Sequence, residues 1–275
     1  MEKSLRFLLM MVILLATVAT ADAQQTADPR VADLVRAGRI RVGLHLPQFT
    51  KDPVTGELRG NEAGIVFIEI ARALSARLGV EVLLVGHPTP PKLLECLKAG
   101  ACDVGFVGIE PSRAAEVDFS YPVTQFDFTY LVPAGSPIRS VADADRPGVR
   151  IAVVRDHAST LALSRILKHA EMVGAEIPEA SLDLVRTGRA DALASTRPGL
   201  LGSSRKLPGS RVLEDRYAVS VGTAMVVPKG QAGRLAYISE FIEEAKASGL
   251  VQRAIERAGQ RGMRVAPPGN PTAQK

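Results

Sequence analysis

Strand-like and helix-like patterns alternate along the first half of this chain, and this alternation limits the folds available to it. Residues 40–44 are alternating and β-branched, whereas residues 80–85 and 103–107 are mostly apolar runs. Between these strands, residues 67–79 carry apolar side chains at three- and four-residue steps, and a second helix begins at Pro91. Elements of these lengths predict right-handed crossovers and a parallel sheet. Ligands bind such sheets beyond the carboxyl ends of the strands, so the loops after the first and third strands form one rim.

The same pattern restarts after a break at residues 133–137, Pro-Ala-Gly-Ser-Pro. Strands at 151–154 and 190–194 are separated by helical segments, and a return strand at 223–227 precedes two amphipathic helices. We therefore predict an α/β protein of two lobes, each a mostly parallel sheet flanked by helices, with two hinge crossings. The expected boundaries are residues 24–132 and 223–263 for lobe 1, and residues 133–222 for lobe 2.

The N-terminus has the features of a secretory signal peptide. Lys3 and Arg6 precede an apolar run at residues 8–18, and Ala21-Asp22-Ala23 is a small-x-small cleavage site. Removal of residues 1–23 predicts an exported, periplasmic product. At the other end, residues 264–275 hold three prolines without periodicity, and we predict that they are disordered.

The formal net charge of +5 favours an anionic small molecule as the ligand. Nucleic acid is not an expected partner, because the basic residues are scattered and aromatic residues make up only 4% of the chain. The sequence has no phosphate-binding glycine loop, dinucleotide fingerprint or G-x-S-x-G elbow, so neither a cofactor nor an enzymatic activity is expected. Four dispersed histidines give no metal-ligand spacing. We expect a monomer.

Two cysteines, Cys96 and Cys102, lie at the end of a predicted helix and the start of the next strand. Export to an oxidising compartment permits a disulfide between them, and closing so short a loop would contribute about 2 kcal/mol on the chain-entropy model. Two buried free thiols are the alternative. Two cysteines alone do not make a metal site.

Arg113 stands just past the turn that follows the third strand, on the predicted rim. A guanidinium there suits a carboxylate, to which its planar fork gives two parallel hydrogen bonds. On the local pattern alone, a solvated surface arginine is the default interpretation.

Seven short segments follow one another in a characteristic order through the chain. They are Ile40-Arg41-Val42-Gly43 with Gln48-Phe49; Glu69-Ile70-Ala71-Arg72-Ala73-Leu74 leading to Leu78-Gly79-Val80; Leu97-Lys98-Ala99-Gly100 with Asp103-Val104; Pro111-Ser112-Arg113 with Val117-Asp118-Phe119-Ser120; Ile151-Ala152-Val153-Val154; Gly188-Arg189-Ala190-Asp191-Ala192; and Ala247-Ser248-Gly249. In this order and spacing they resemble the bacterial extracellular solute-binding proteins of the polar-amino-acid type (family 3), the periplasmic receptors of ABC importers.

The resemblance implies a type II periplasmic-binding-protein fold that closes on a small molecule and delivers it to an ABC permease in the inner membrane. It makes Arg113 the residue that binds the ligand carboxylate, and it packs Phe49 on the ligand. It places further ligand contacts on the two rims, where a helix N-terminus on the second rim favours an anion. These contacts are Gly108, Ile109 and Glu110 on the first rim and Arg155, Asp156, His157 and Ala158 on the second.

The chain departs from the family at two positions. Amino-acid receptors of the family carry an acid that holds the ligand's α-ammonium, and the matching position here is Thr196, followed by Arg197. The small hydroxyl residue expected before the carboxylate-binding arginine is Gly108. The missing acid and the additional arginines, Arg155 and Arg197, predict a small organic anion with one or two acidic groups. An amino acid held differently, with its ammonium on Glu110, is the alternative.

His45 and His157 lie on opposite rims, and each is predicted either to contact the ligand or to face water. Two other functions stay open. Some relatives of this fold are periplasmic dehydratases of the cyclohexadienyl or prephenate type, but elimination needs a positioned general acid, and residues 195–199 contain no carboxylic acid. The third possibility is a sensor partner that passes a bound signal to a membrane receptor.

Overall fold

The computed structural model describes residues 28–269 apart from 46–48, 56–57, 61, 221 and 260, and for residues 49–51, 58–60, 62 and 63 it describes the backbone alone. The predicted signal peptide, residues 1–23, lies outside the described residues. The strands are β1 Arg39–His45, β2 Phe49–Lys51, β3 Leu58–Gly60, β4 Glu81–His87, β5 Val104–Gly108, β6 Val117–Val132, β7 Arg150–Val154, β8 Glu171–Ala175, β9 Ala192–Thr196, β10 Arg211–Val212, β11 Ala218–Val219, β12 Thr223–Pro228 and β13 Met263–Val265. The helices are Ala32–Ala37, Glu62–Leu78, Pro90–Lys98, Val141–Ala144, Ala158–Ser164, Pro178–Arg186, Arg197–Ser204, Ala232–Ala247 and Leu250–Arg257, with a 3₁₀ turn at Arg113–Ala115. Within the described ranges, no helix has the length and apolar character needed to span a membrane.

The strands β4, β1 and β5 form the parallel sheet that the alternating pattern predicts. β1 pairs with β4 along its whole length, from Arg39 opposite Glu81 to His45 opposite His87, and β5 joins its other edge. The sheet order continues through β12, β6, β9, β7 and β8, so the two halves of the molecule share one hydrogen-bonded network. The predicted α/β class is therefore confirmed.

A close approach between helix Pro90–Lys98 and the sheet positions one wall of the later site. Thr89 begins the helix, and its side chain accepts a hydrogen bond from the backbone N–H of Lys92. A Cβ atom on Gly105 of β5 would lie 2.7 Å from Cδ2 of Leu93, so only glycine lets the helix pack this closely. This packing fixes the helix against β5, and Pro90 at its start lines the later site together with Val107 and Gly108 of that strand.

The long strand β6 carries the chain from one half to the other. Its first part pairs with β12, from Val117 opposite Pro228 to Thr124 opposite Thr223, and its last part pairs with β9 at residues 128–131. The sequence predicts that the chain first passes from lobe 1 to lobe 2 after residue 132, at the end of this strand. In the structure the change of sheet partner falls inside the strand instead, because β6 continues unbroken from one sheet into the other.

The second half has apolar cores on both faces of its sheet. Ile151 and Val153 of β7 contribute to one core, and Ala152, between them, contributes to the other with Leu182 and Leu193. Opposite orientation of successive strand residues explains this separation. Helices on both faces explain why these strands are nearly continuous apolar runs.

The C-terminal helices return to the first half. Ile238, Ile242 and Val251 pack in the same core as the β1 side chains. The predicted start of the disordered segment, at residue 264, is wrong. β13 pairs with β6 as far as Val265, and the N–H of the buried Ala266 donates to the carbonyl of Val123. Backbone pairing to the edge of β6 orders these residues, and residues 270–275 lie outside the described ones.

Cys96 and Cys102 form a disulfide that joins the end of helix Pro90–Lys98 to the chain before β5. The sequence left open a disulfide or two free thiols, and the structure has the disulfide. The Sγ atom of Cys102 also lies 3.4 Å from Nε2 of His87, at the end of β4.

Candidate functional site

A cavity of about 560 Å³ lies where the carboxyl ends of β1, β5, β7 and β9 face one another. Both halves of the molecule line it, as expected for a ligand between opposing sheet edges. Its lining includes residues of helix Pro178–Arg186 and helix Arg197–Ser204. The charged or titratable side chains in the lining are His45, Arg113, His157, Glu179, Arg205 and Lys206.

Arg113 is a buried charged residue in the wall of this cavity. It lies on the 3₁₀ turn after β5, and only 6% of the residue is exposed. Its Nη1 donates to the carbonyl of Gly108 at 2.8 Å, and its Nη2 donates to the carbonyl of Asp156 at 2.5 Å. No carboxylate in the described part of the chain forms an ion pair with it. Burial lowers the pKa of the Arg113 guanidinium, with the charges of Glu110 and Asp156 opposing the shift, but a guanidinium keeps its proton in proteins. A buried positive charge thus lies in the cavity wall.

The two rims touch next to Arg113. A Cβ atom on Gly108 would lie 3.1 Å from Cβ of Ala158 in the opposite half, so the position that departs from the family's hydroxyl residue is one of close contact. Asp156 has a left-handed backbone, with φ of 59°, which turns the loop after β7 so that its carbonyl faces the guanidinium. The loop 155–158 contributes to the site through its backbone, His157 and Ala158.

His45 and His157 face each other across the cavity. Their ring centroids are 5.1 Å apart in an edge-to-face arrangement. Nε2 of His45 lies 3.2 Å from the carbonyl of Pro88, which can only accept, so we assign the proton to this nitrogen. Burial, with the charge of Arg113, lowers the pKa of His45 to about 4, although the bond to Pro88 opposes the shift. Burial, His45 and Arg113 lower the pKa of His157 to about 3. Both imidazoles are therefore neutral near neutral pH.

Thr196 lies in the lining, at the carboxyl end of β9. Its hydroxyl oxygen accepts from the N–H of Gly199 at 3.1 Å and caps helix Arg197–Ser204. A threonine hydroxyl at this position cannot supply the charge that an α-ammonium group requires. Glu179 is the only carboxylate among the lining residues of the described chain, and Nζ of Lys206 lies 2.6 Å from it. The hydrogen bond from Lys206 lowers the pKa of Glu179 against the effect of burial.

Several residues predicted from sequence lie outside the lining. Arg197 donates to the carbonyls of Leu213 and Glu214 and approaches Asp127, so it braces the segment after helix Arg197–Ser204. Arg155 is exposed and forms an ion pair with Glu176. These two arginines therefore do not line the cavity as the prediction of an anion site assumed.

The other rim residues hold the two halves together. Glu110 is buried and forms an ion pair with Arg165 of the opposite half at 2.5 Å, so its carboxylate is already occupied. The N–H of Ile109 donates to the carbonyl of Gly222 and ties the end of β5 to the second crossing. The backbone of Phe49 lies in β2, and its side chain is outside the described residues.

Sequence reasoning missed the far wall of the cavity. Glu179 and Ser181 come from helix Pro178–Arg186, and Arg205 and Lys206 from the end of the next helix. The sequence feature that could have indicated this wall is Pro178, which begins a helix shortly after β8. Such a helix start lies beyond the carboxyl end of its strand, on the ligand-binding edge.

A sequence model of the family described as bacterial extracellular solute-binding proteins, family 3, matches residues 46–260. Among curated relatives, the virulence sensor protein BvgS of Bordetella bronchiseptica is 29% identical over 136 residues, which are 49% of this chain and 11% of the sensor. The chain thus spans about a tenth of the length of that relative. The glutamine-binding protein of Geobacillus stearothermophilus is 26% identical over 172 residues, 61% of this chain and 63% of the relative.

Solved structures share the fold. The ancestral amino acid-binding protein AncCDT-1, described as a precursor of cyclohexadienyl dehydratase, superposes with a TM-score of 0.70 at 25% identity, covering 82% of this chain and 97% of that one. The solute receptor for L-cysteine of Neisseria gonorrhoeae superposes with a TM-score of 0.71 at 22% identity, covering 83% and 92% of the two chains. These similarities confirm the predicted two-lobed binding-protein fold.

Proposed function

Because this chain belongs to the bacterial extracellular solute-binding proteins, family 3, we propose that it captures a small organic anion in the periplasm and delivers it to an ABC permease. The anion binds in the cavity between the two lobes. The observation that carries this proposal is the buried guanidinium of Arg113 in the cavity wall, with its two hydrogen bonds directed at carbonyls of opposite lobes.

The charge of the cavity supports an anion. Among the described lining residues, Arg113, Arg205 and Lys206 are positive and Glu179 is negative, a formal net charge of +2, with Lys206 and Glu179 neutralising each other in an ion pair. Both histidines are neutral. A cavity with this balance and low-dielectric walls favours a negatively charged solute.

The same lining disfavours an ordinary α-amino acid. Its ammonium group would need an acceptor near Thr196, whose hydroxyl caps a helix. Glu110 is not available either, because it pairs with Arg165. Several similar proteins are named for amino acids, such as the glutamine-binding protein of Geobacillus stearothermophilus. An amino-acid ligand requires a negative charge for its α-ammonium group, and this chain has the neutral Thr196 at the position expected for that charge.

Closure of the lobes provides the mechanism of capture. Only a ligand with a higher affinity for the closed form shifts the open–closed equilibrium, so the anion must contact both rims. Arg113 from lobe 1 and the loop 155–158 from lobe 2 meet at one point of the cavity. An anion seated there gains contacts from both lobes only when they are closed.

Titration calorimetry tests the proposal. Purified protein, unfolded and refolded to release any bound solute, is titrated with malonate, succinate and glutarate and, separately, with glutamine, arginine and cysteine. We expect a dicarboxylate to bind at least about tenfold more tightly than any of the amino acids. Tight binding of the amino acids alone would overturn the choice of an anion. Binding of neither class would direct the search to solutes that co-purify, identified by mass spectrometry.

A sensor role is a second candidate, because the curated relatives include virulence sensor proteins. In that case the closed lobes would contact a membrane receptor instead of a permease. Genes for a permease and an ATPase beside this one favour import. A dehydratase is less favoured, because the one carboxylate in the described lining is bound by Lys206 and is not free to act as a general acid.

A further inference from the structure

His87, Cys96 and Cys102 form a compact group of potential metal ligands outside the cavity. One ligand atom from each, an imidazole nitrogen and two sulfurs, lies within 4.8 Å of both others. Nε2 of His87 is 3.4 Å from Sγ of Cys102. His87 and Cys96 are partly exposed, so an ion has a route to the group from solvent.

Contacts other than the disulfide hold these residues in place. The N–H groups of Ala101 and Cys102 donate to the carbonyl of Cys96 at 2.9 and 3.1 Å, so the backbone of the loop is closed by hydrogen bonds. The Sγ atom of Cys102 packs over Gly43 of β1, 3.3 Å from where a Cβ on that glycine would lie. His87 ends β4, which is paired with β1 along its whole length. Breaking the sulfur–sulfur bond therefore leaves the three side chains together.

We propose that reduction of the Cys96–Cys102 disulfide converts this group into a binding site for a thiophilic divalent cation such as Zn²⁺. A dithiol reductant transfers two electrons and two protons to the disulfide and becomes a disulfide itself. The two thiols then lose their protons on binding the cation, and the imidazole of His87 supplies the third ligand.

The chemistry of the ligands fits this ion. Thiolates and imidazoles bind Zn²⁺ at about 2.3 and 2.0 Å, so ligand atoms of a tetrahedral site lie about 3.5 to 4 Å apart. The spacing in the structure requires only that the two sulfurs separate by side-chain rotation. Water can supply the fourth ligand, because His87 and Cys96 are partly exposed. The oxidised pair has no thiolate to offer, so oxidation and metal binding exclude each other.

Spectroscopic titration tests this proposal. The full chain without its signal peptide is reduced with a phosphine, exchanged into oxygen-free buffer and titrated with Co²⁺, which is then displaced by Zn²⁺. We expect one Co²⁺ per chain, a thiolate-to-metal charge-transfer band, and loss of that band when Zn²⁺ is added. The oxidised protein should show none of these signals.

His87→Ala should weaken Zn²⁺ binding to the reduced protein at least about tenfold, because it removes one of three ligands. His169→Ala, at an exposed histidine outside the group, is the matched control and should bind like the wild type. Should His87→Ala fold poorly by circular dichroism, His87→Gln replaces it. Equal Zn²⁺ affinity in the reduced wild type and the histidine variant, or equal binding by oxidised and reduced protein, would overturn the assignment.

Discussion

The guanidinium of Arg113 donates a 2.5 Å hydrogen bond to the main-chain carbonyl of Asp156, which belongs to the opposite lobe. One side chain therefore both lines the cavity and connects its two rims. A ligand carboxylate bound by this guanidinium would lie at the point where the lobes meet, which links affinity to closure.

Replacement of Arg113 tests this link. Arg113→Ala should lower the affinity for the bound anion by about 30-fold or more, corresponding to at least about 2 kcal/mol for loss of a buried charge partner. Calorimetric dissociation constants measure the effect. Arg155→Ala is the matched control, because Arg155 is exposed and pairs with Glu176 away from the lining, and it should change the affinity by less than about threefold. Equal effects of the two substitutions would show that Arg113 does not bind the ligand.

The ion pair between Glu110 and Arg165 is expected to stabilise the closed form. Arg165→Ala leaves the buried carboxylate of Glu110 without its partner, so closure should become less favourable and ligand affinity should fall about three- to tenfold. Small-angle scattering of the ligand-free protein should show a larger radius of gyration. Arg146→Ala removes an exposed ion pair within lobe 2 and serves as the control. An unchanged radius and affinity in the first variant would mean that the pair does not favour closure.

Thr196 allows a direct test of ligand class. Thr196→Asp keeps a helix-capping side chain and adds the negative charge that an α-ammonium requires. We expect dicarboxylate affinity to fall at least about tenfold and amino-acid affinity to rise. Thr196→Asn keeps the cap without the charge, and it should resemble the wild type in both respects. If the two variants behave alike, charge at this position does not select the ligand.

We expect the protein to lose stability in mild acid because of the two cavity histidines, His45 and His157. Their folded pKa values, about 4 for His45 and about 3 for His157, lie below the value of about 6.5 expected when the chain is unfolded. The unfolded state therefore binds protons first as the pH falls, so the stability present above about pH 6.5 declines toward pH 4. Between about pH 7.5 and pH 5 the free energy of unfolding should fall by about 2 kcal/mol for each histidine, on the order of 4 kcal/mol for the two together.

Urea unfolding at several pH values measures this decline. The double variant His45→Gln and His157→Gln should show a shallower dependence on pH over the same range, because neither side chain titrates. The single variant His169→Gln, at an exposed position, provides the comparison. A double variant whose stability declines as steeply as that of the wild type would contradict the assignment to these histidines.

The sequence was sufficient to predict Arg113, His45 and His157 as rim residues. Each lies at the end of a strand or in the loop or turn that follows it, and the carboxyl ends of those strands face the cavity. The same reasoning was wrong for Arg197, although it adjoins Thr196 in the lining. The helix that begins there rotates each successive side chain by about 100°, which carries Arg197 from the cavity to the carbonyls of Leu213 and Glu214. Adjacency in sequence does not determine direction at the start of a helix.

Local patterns by themselves determined the main strands and helices of both halves, the parallel pairing of β1, β4 and β5, and the family of this protein, because periodicity and glycine or proline stops act over a few residues. They missed β13, whose pairing with β6 depends on the folded sheet. Only the tertiary structure decided which charges remain for a ligand. Glu110 and Arg165 are 55 positions apart, Glu179 and Lys206 are 27 apart, and His87 meets Cys102 across 15. Each pair forms because separate elements pack together. In the two ion pairs, a charge that has a partner within the protein is no longer free to bind a ligand.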